Sequence, residues 1–221
     1  MRAECARLAL LLSLALPGAA RTDPSDLCLQ AARQVASETG VPYPVLLAIS
    51  QTETGRRRGG ETRPWPWTVN MEGAGHWFDS RDAALAFVAR HHAAGARSYD
   101  LGCFQINYRW HGRAFADRAA MIDPLQNARY AARFLSELYA ETGDWSRAAG
   151  HYHSRTKVHA DRYRTRFDRF LAAAEGAPAP AAPSRPAMPA QKSASAPNSF
   201  PLLQARGGAR APGSLVPLGD G

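Results

Sequence analysis

The stretch AISQTETGR, residues 48–56, runs an apolar helical segment directly into a glutamate and then a glycine. Glu53 therefore falls on the last turn of the predicted helix, at the negative end of the helix dipole, where the pKa of a carboxyl rises. Burial beside the apolar residues would raise that pKa further. A carboxyl that keeps its proton at neutral pH can act as a general acid. The alternative is a solvated glutamate at a fraying helix end, since most carboxylates are exposed.

Helical patterns extend on both sides of this stretch. Gly40 and Gly143 are suited to end helices, and the last helix is predicted from Ala160 to Ala173. Ser and Asp residues supply N-caps, and proline suits a first helical turn. The helices are predicted to begin at Ser25, Pro44, Ser80, Pro124, Asp144 and Ala160.

One segment breaks the helical pattern. In WTVNMEGAGHWF, residues 67–78, alternating β-prone residues flank the turn-forming residues Glu72 to Gly75. This arrangement predicts a small β-hairpin. The fold class is therefore expected to be mainly α (α+β), a helical domain with a β-hairpin insertion.

The two ends of the chain differ from its middle. Residues 1–20, MRAECARLALLLSLALPGAA, place arginines before an apolar run and finish in small residues, which is the pattern of a secretory signal peptide. The run is shorter than the roughly 20 residues that span a bilayer, which favours cleavage near Ala20 over a retained anchor. From residue 175 onward Pro, Ala, Gly and Ser dominate, as in disordered tails. We predict a signal peptide over 1–20, one domain over 21–174 and a disordered tail over 175–221.

Export affects how the cysteines and the charge are interpreted. Cys28 and Cys103 remain after removal of the leader, and an even count in an oxidising compartment favours one disulfide, with two free buried thiols as the alternative. The net charge of +8 favours an anionic partner. Export points to an acidic wall or membrane surface rather than nucleic acid. The arginines of the last predicted helix also spread around it, at Arg162, Arg164, Arg166 and Arg169.

Two further stretches join AISQTETG. DLGCFQIN, residues 100–107, has a glycine that permits close backbone approach, with Gln105 and Asn107 as neutral hydrogen-bonding groups; AAGHYHS, residues 148–154, puts Tyr152 where a helix finishes. In this order the three stretches resemble the motifs of the lytic transglycosylases of the soluble-transglycosylase (SLT) family, which have a lysozyme-like fold. The family pattern has a helix-terminal Glu followed by Ser, then Gly-Leu-Met-Gln, then Ala-Tyr-Asn. The resemblance covers residues 25–165.

The resemblance implies roles for particular residues. Glu53 matches the catalytic acid and base, Gln105 the glutamine of the cleft, and Tyr152 the tyrosine that helps to hold the glutamate. Thr54 replaces the family's serine and keeps its hydroxyl, while His153 stands where asparagine is usual. Cys103 and Phe104 replace the Leu and Met of the second motif. The residues expected to bind substrate in the cleft are Thr54, Gln105, Asn107, Tyr152 and His153.

Tryptophans can add stacking surfaces for sugar rings. Trp65, Trp67 and Trp77 are candidates, and Trp65 is the preferred one because prolines flank it; core packing is an equal alternative for each. The histidines do not suggest a metal site, because neighbours such as His91 and His92 diverge on a helix and no HExxH motif occurs.

The resemblance implies a periplasmic enzyme that cleaves the β-1,4 bond between MurNAc and GlcNAc in peptidoglycan and forms 1,6-anhydro ends without metal or cofactor. PWPWTVN, residues 64–70, followed by a glycine-containing hairpin, resembles exported members that accompany conjugation and secretion machines. A lysozyme-type hydrolase is an alternative, with Glu61, Glu72 or Asp100 as a second carboxylate. A non-catalytic peptidoglycan-binding module is the other alternative, although it would not need Glu53 at the helix end.

Overall fold

The structure is a computed structural model that describes residues 23–176. The predicted signal peptide and residues 177–221 of the predicted tail lie outside this range. The helices are α1 (Ser25–Thr39), α2 (Tyr43–Thr54), α3 (Arg81–Ala93), α4 (Tyr108–His111), α5 (Arg118–Ile122), α6 (Pro124–Thr142), α7 (Trp145–His153) and α8 (Lys157–Glu175), with a 3-10 turn over Gly112–Ala114. The strands are β1 (Arg56–Arg58), β2 (Glu61–Arg63), β3 (Thr68–Met71), β4 (Ala74–Trp77), β5 (Tyr99–Leu101) and β6 (Ile106–Asn107). The expected mainly α (α+β) class is confirmed.

The longer helices enclose the core. Helix α2 packs against α1 on one side and α8 on the other, while α6 packs against α1 and α7. Apolar residues at spacings of three and four on α6 are buried, as the sequence pattern requires, and they include Ala128, Ala131 and Leu135. Within the described residues, no helix is both long enough and apolar enough to cross a membrane.

Several helix ends follow local sequence signals, but the last helix spans Lys157–Glu175 and is longer at both ends than the predicted Ala160 to Ala173. Ser80 and Asp144 accept hydrogen bonds from the backbone N–H groups of Ala83 and Arg147 and cap α3 and α7 as predicted. The predicted cap at Ser25 is wrong. Pro24 occupies the N-cap position of α1, and the Asp23 carboxylate accepts the Ser25 N–H instead, because the carboxylate lies just before the helix.

The predicted hairpin belongs to a larger sheet. Strands β3 and β4 pair as expected, but the turn consists of Glu72 and Gly73 alone, at φ 51° and 95°. Ala74 and Gly75, expected in the turn, already pair with Met71 and Asn70. Positive φ at both central residues gives the twist that a two-residue hairpin needs. Strands β5 and β6, which the sequence pattern did not reveal, complete an antiparallel sheet of order β4-β3-β5-β6.

A disulfide connects the helical and sheet parts. Cys28 of α1 is bonded to Cys103, which follows β5, and their Cα atoms are 5.7 Å apart. The predicted bridge is thus confirmed, and the alternative of two free thiols is wrong. The bridge lies in the core beside Phe104, so it fixes the DLGCFQIN stretch against the helical layer.

Candidate active site

A cleft of about 510 Å³ separates the sheet from the ends of α2 and α7. Five of the predicted site residues line it together, although their motifs are far apart in the chain: Glu53, Gln105, Asn107, Tyr152 and His153. The other polar lining residues include Thr68, Asn70, Asp100 and His111, and the aromatic ones are Trp77, Trp110 and Phe134.

Glu53 projects into this cleft from the last turn of α2. The helix ends at Gly55, whose N–H donates to the Gln51 carbonyl oxygen. From α8, Tyr163 donates its hydroxyl hydrogen to Glu53 Oε1 at 2.7 Å. Arg166, also on α8, donates to the carbonyl oxygen of Thr52 at 2.8 Å. Helix α8 therefore holds both the backbone and the carboxyl group of this last turn.

The surroundings of Glu53 raise its pKa from 4.5 to about 8. Burial is the largest cause, because it removes the water that would stabilise the carboxylate. The negative charge of Asp100 acts in the same direction, while the Tyr163 hydrogen bond and the Arg166 charge act against it. At neutral pH the Glu53 carboxyl therefore holds a proton and faces an open cleft.

Thr54 does not take the substrate-binding role expected of it. Its side chain is fully buried. Its hydroxyl accepts the Trp65 N–H at 3.1 Å and can donate to the carbonyl oxygens of Ser50 or Cys103 at 2.9 and 3.2 Å. The residue faces away from the cleft because the next helical position after Glu53 turns inward, so it positions the end of α2 rather than touching a ligand.

Gln105 lies in the cleft in a left-handed backbone conformation, at φ 46°. Such a conformation is uncommon for a residue with a side chain. Its Nε2 donates to the carbonyl oxygens of Gly102 and Thr68 at 2.9 and 3.1 Å, so its amide nitrogen is engaged by the tight turn between β5 and β6. The glutamine both shapes this turn and contributes to the cleft surface.

The Asp100 carboxylate lies between two asparagine side chains from the neighbouring strands of the sheet. Asp100 accepts hydrogen bonds from Asn107 Nδ2 at 2.6 Å and Asn70 Nδ2 at 2.9 Å, and the three residues are paired neighbours on β3, β5 and β6. Burial raises the pKa of Asp100, whereas the two amide bonds lower it. Asn107 therefore orients Asp100, and its Oδ1 also accepts the Arg109 N–H at the start of α4.

The tyrosine that holds the glutamate differs from the expected one. Tyr152 donates to the Phe104 carbonyl oxygen at 2.7 Å, whereas Tyr163 contacts Glu53. The spacing of Ala160, Tyr163 and Phe167 on the inner side of α8 was the available sequence signal, but it marks packing as readily as a site. His153 stacks on the Tyr163 ring with centroids 4.8 Å apart, and burial lowers the pKa of His153.

The aromatic walls also differ from expectation. Trp65 is only 2% exposed, and its Nε1 donates to the Phe78 carbonyl oxygen, so its expected contact with sugar is wrong. Trp77, which is 46% exposed, and Trp110, which is 72% exposed, line the cleft. Trp110 was missed because nothing in its local sequence distinguishes a cleft residue from a packed one.

A scan against protein-family models and searches of curated proteins and of solved structures each gave no match. Among residues 23–176 no group of three or more His, Cys, Asp and Glu side chains is arranged to hold a metal ion.

Proposed function

We propose that this protein is a peptidoglycan lytic transglycosylase, which cleaves the β-1,4 bond between MurNAc and GlcNAc. The observation that carries the proposal is the state of Glu53, whose pKa near 8 keeps a proton on a carboxyl that faces an open cleft. Within residues 23–176 no cation forms an ion pair with this carboxyl. General acid catalysis at neutral pH requires such a group.

The proposed reaction uses one carboxyl twice. Glu53 donates its proton to the glycosidic oxygen, and the bond from that oxygen to C1 of MurNAc breaks. The C6 hydroxyl of the same MurNAc then attacks C1 and loses its proton to the Glu53 carboxylate. The products are a GlcNAc end and a 1,6-anhydro-MurNAc end, and the proton on Glu53 is restored. The nucleophile belongs to the substrate, so its proximity replaces that of a bound water.

The cleft walls are suited to a glycan. Trp77 and Trp110 expose broad apolar faces on which sugar rings can stack. The side chains of Gln105, Asn107 and Asn70 also line the cleft, and their nitrogens bond to Thr68, Gly102 and Asp100. The Gln105 Oε1 offers a neutral acceptor that matches the hydroxyl and acetamido N–H groups of the two sugars. This combination favours an uncharged carbohydrate backbone over a nucleic acid in the cleft.

Hydrolysis is the second candidate, and Asp100 is the observation that favours it. Its carboxylate lies in the same cleft as Glu53 and is held by two amides, an arrangement that can stabilise a positive C1 or orient a water. Both candidate reactions need Glu53 as the acid. They differ in whether water or the C6 hydroxyl attacks C1.

Mass spectrometry of digested murein tests the proposal. The wild-type protein is expected to release fragments that end in 1,6-anhydro-MurNAc, and Glu53→Gln is expected to release none. Glu137→Gln makes the same chemical change at an exposed position of α6 and should behave as the wild type. Reducing ends would instead identify a hydrolase. Binding of murein without any product would identify a binding module.

We further propose that the enzyme acts in the periplasm beside a secretion, conjugation or pilus machine. The Cys28–Cys103 disulfide supports export, because such bonds persist in oxidising compartments. Affinity capture of the full chain from envelope extracts should recover a component of such a machine. Recovery of none, under conditions that retain a known complex, would contradict this setting.

A further inference from the structure

The cleft is bordered at Trp77 by further open space. A second groove of about 530 Å³ lies beyond it and shares Gly75 and Trp77 with the first. We call this second space the arginine groove; it is lined by Gly55, Arg56, Arg57, Gly75, His76, Trp77 and Phe78. A glycan strand that leaves the cleft past Trp77 would therefore meet the β1–β2 hairpin.

Trp77 is the wall that the two spaces share. A Cβ atom added to Gly75 would come 3.3 Å from Cη2 of the Trp77 ring, so the indole folds back over the strand at a position without a side chain. Almost half of the Trp77 surface remains exposed. The ring can thus support a sugar at the border while substituents of that sugar extend toward the hairpin.

The hairpin of β1 and β2 carries three successive arginines: Arg58 lies opposite Glu61, whereas Arg57 lies opposite the uncharged Thr62 and Arg56 opposite Arg63. Within residues 23–176, Arg56, Arg57 and Arg58 form no ion pair, whereas Arg63 across the hairpin is paired with Asp26 at 2.5 Å. The guanidinium groups of Arg56 and Arg58 lie over the Trp65 ring, at 5.0 and 5.1 Å from its centroid. Arg57, between them in the strand, is exposed.

The sugar rings of the glycan offer no anionic group with which these arginines could pair. While peptides are attached, the lactyl carboxyl of each MurNAc is bound in an amide, so the MurNAc–GlcNAc backbone is neutral and the anionic groups of the strand are the carboxylates of the peptide stems. An amidase that removes the stems leaves one lactyl carboxylate on each MurNAc, close to the sugar ring. Arginine is suited to such groups because its planar guanidinium can bind both oxygens of a carboxylate.

We propose that the arginine groove is a subsite that binds the carboxylates of these peptide stems, so that the protein prefers strands that carry peptides to bare glycan. The inference rests on the proposed function, because it takes murein as the substrate. Arg57 is the residue best placed to make the contact without disturbing the fold, since Arg56 and Arg58 also pack on Trp65.

A binding experiment separates this inference from the catalytic one. The Glu53→Gln protein is incubated with beads that carry glycan strands with their peptide stems and, in parallel, with beads that carry strands from which an amidase has removed the peptides. Arg57→Gln, Arg57→Lys and Arg169→Gln are then added singly to that background. Arg169 is an exposed arginine of α8 outside the arginine groove, so its variant controls for the loss of one charge.

We expect Arg57→Gln to weaken binding to peptide-bearing strands by up to about fivefold, the upper end for an exposed charge pair, and to affect binding to stripped strands much less. Arg57→Lys should keep part of the preference, and Arg169→Gln should keep all of it. The preference should fall at about 1 M salt, where the screening length is only about 3 Å.

Equal loss on both materials, or no loss on either, would overturn the subsite. So would a protein that binds neither material. Failure of the proposed catalysis gives a different result, because murein would then be bound with its peptide preference intact while the wild-type protein releases no glycan fragments.

Discussion

At the residue scale, two groups of neighbours act on Glu53 in opposite directions. Burial and the charge of Asp100 favour the protonated carboxyl, while Tyr163 and Arg166 favour the carboxylate. The proposed reaction needs a group that first gives and later takes a proton, and this balance suits it because neither form is locked in place. Tyr163 is the one of these neighbours that touches the carboxyl directly.

Replacement of Tyr163 by phenylalanine should move the alkaline limb of the pH–activity profile upward by about one unit, since a hydrogen bond that favours the charged form is lost. Tyr152→Phe is the matched control, because that hydroxyl donates to the Phe104 carbonyl and not to Glu53. Profiles of murein cleavage against pH measure both limbs. An equal displacement in the two variants would contradict a specific role for Tyr163.

Glu53→Gln should also change how stability depends on pH. The carboxyl titrates at about 8 in the folded protein and ordinarily at 4.5, so the folded state binds more protons between these values. The free energy of unfolding of the wild type therefore falls as pH rises through this window. The glutamine variant does not carry this loss, and above pH 8 it should be more stable than the wild type by on the order of 2 kcal/mol.

Thermal unfolding at pH 5 and pH 8.5 measures this effect. The difference in Tm between Glu53→Gln and the wild type should grow toward the alkaline value, while Glu137→Gln should follow the wild type at both. A difference of the same size at the two pH values would mean that Glu53 titrates normally in the folded protein.

At the scale of the element, the end of α2 is fixed by hydrogen bonds that come from distant parts of the chain. The Thr54 hydroxyl connects this end to the backbones of Trp65 and Cys103, and Arg166 reaches the Thr52 carbonyl from α8. The last turn of a helix leaves carbonyl groups without partners inside the helix, so outside groups can set its position. Glu53 is thereby placed on a rigid support.

Thr54→Val keeps the shape of the side chain and removes the hydroxyl. We expect it to lower the free energy of unfolding by about 1–3 kcal/mol, because the buried N–H of Trp65 loses its acceptor. Thr54→Ser keeps the hydroxyl and loses a methyl group, which should cost only about 1 kcal/mol. Urea unfolding of both variants gives the comparison, and a larger loss in Thr54→Ser would show that packing, not hydrogen bonding, governs this position.

At the scale of the whole molecule, the disulfide joins the helical part of the domain, through α1, to the turn after β5 that carries Gln105. Cys28 belongs to α1 and Cys103 to the turn that carries Gln105, with 75 residues between the cysteines in sequence. A cross-link over a loop of this length restricts the unfolded chain strongly. The bridge therefore contributes to the stability of the domain and to the position of the Gln105 turn.

Reduction of this bond, or Cys28→Ala with Cys103→Ala, should lower the free energy of unfolding by about 2–5 kcal/mol. For a domain of this size that corresponds to a fall in Tm of roughly 5–15 °C. Thermal unfolding with and without reductant measures it, and the double variant serves as the control because reductant should not change its Tm. Equal Tm values in oxidised and reduced wild-type protein would contradict the prediction.

The positions of most long helices could be predicted because their signals are local. Gly40 and Gly143 adopt left-handed conformations at φ 78° and 66° and end α1 and α6, and Asp144 caps α7, all through groups within a few residues. Strands β5 and β6 gave no comparable signal. Each is too short to show alternation, and each exists only because it pairs with a neighbour in the sheet.

The sequence by itself predicted most of the long helices and favoured the pairing of Cys28 with Cys103. Its resemblance to a known family implied that Glu53 shares a cleft with Gln105 and Tyr152. Only the tertiary structure decided that Tyr163 holds Glu53, that Thr54 and Trp65 face the core, and that Trp110 enters the cleft. It also decided that Asp100, rather than Glu61 or Glu72, shares the cleft with Glu53. The physical reason is the distance along the chain over which the interactions act. Caps and turns depend on adjacent backbone groups, whereas burial and a pKa depend on side chains brought together from 110 residues apart, as Tyr163 and Glu53 are.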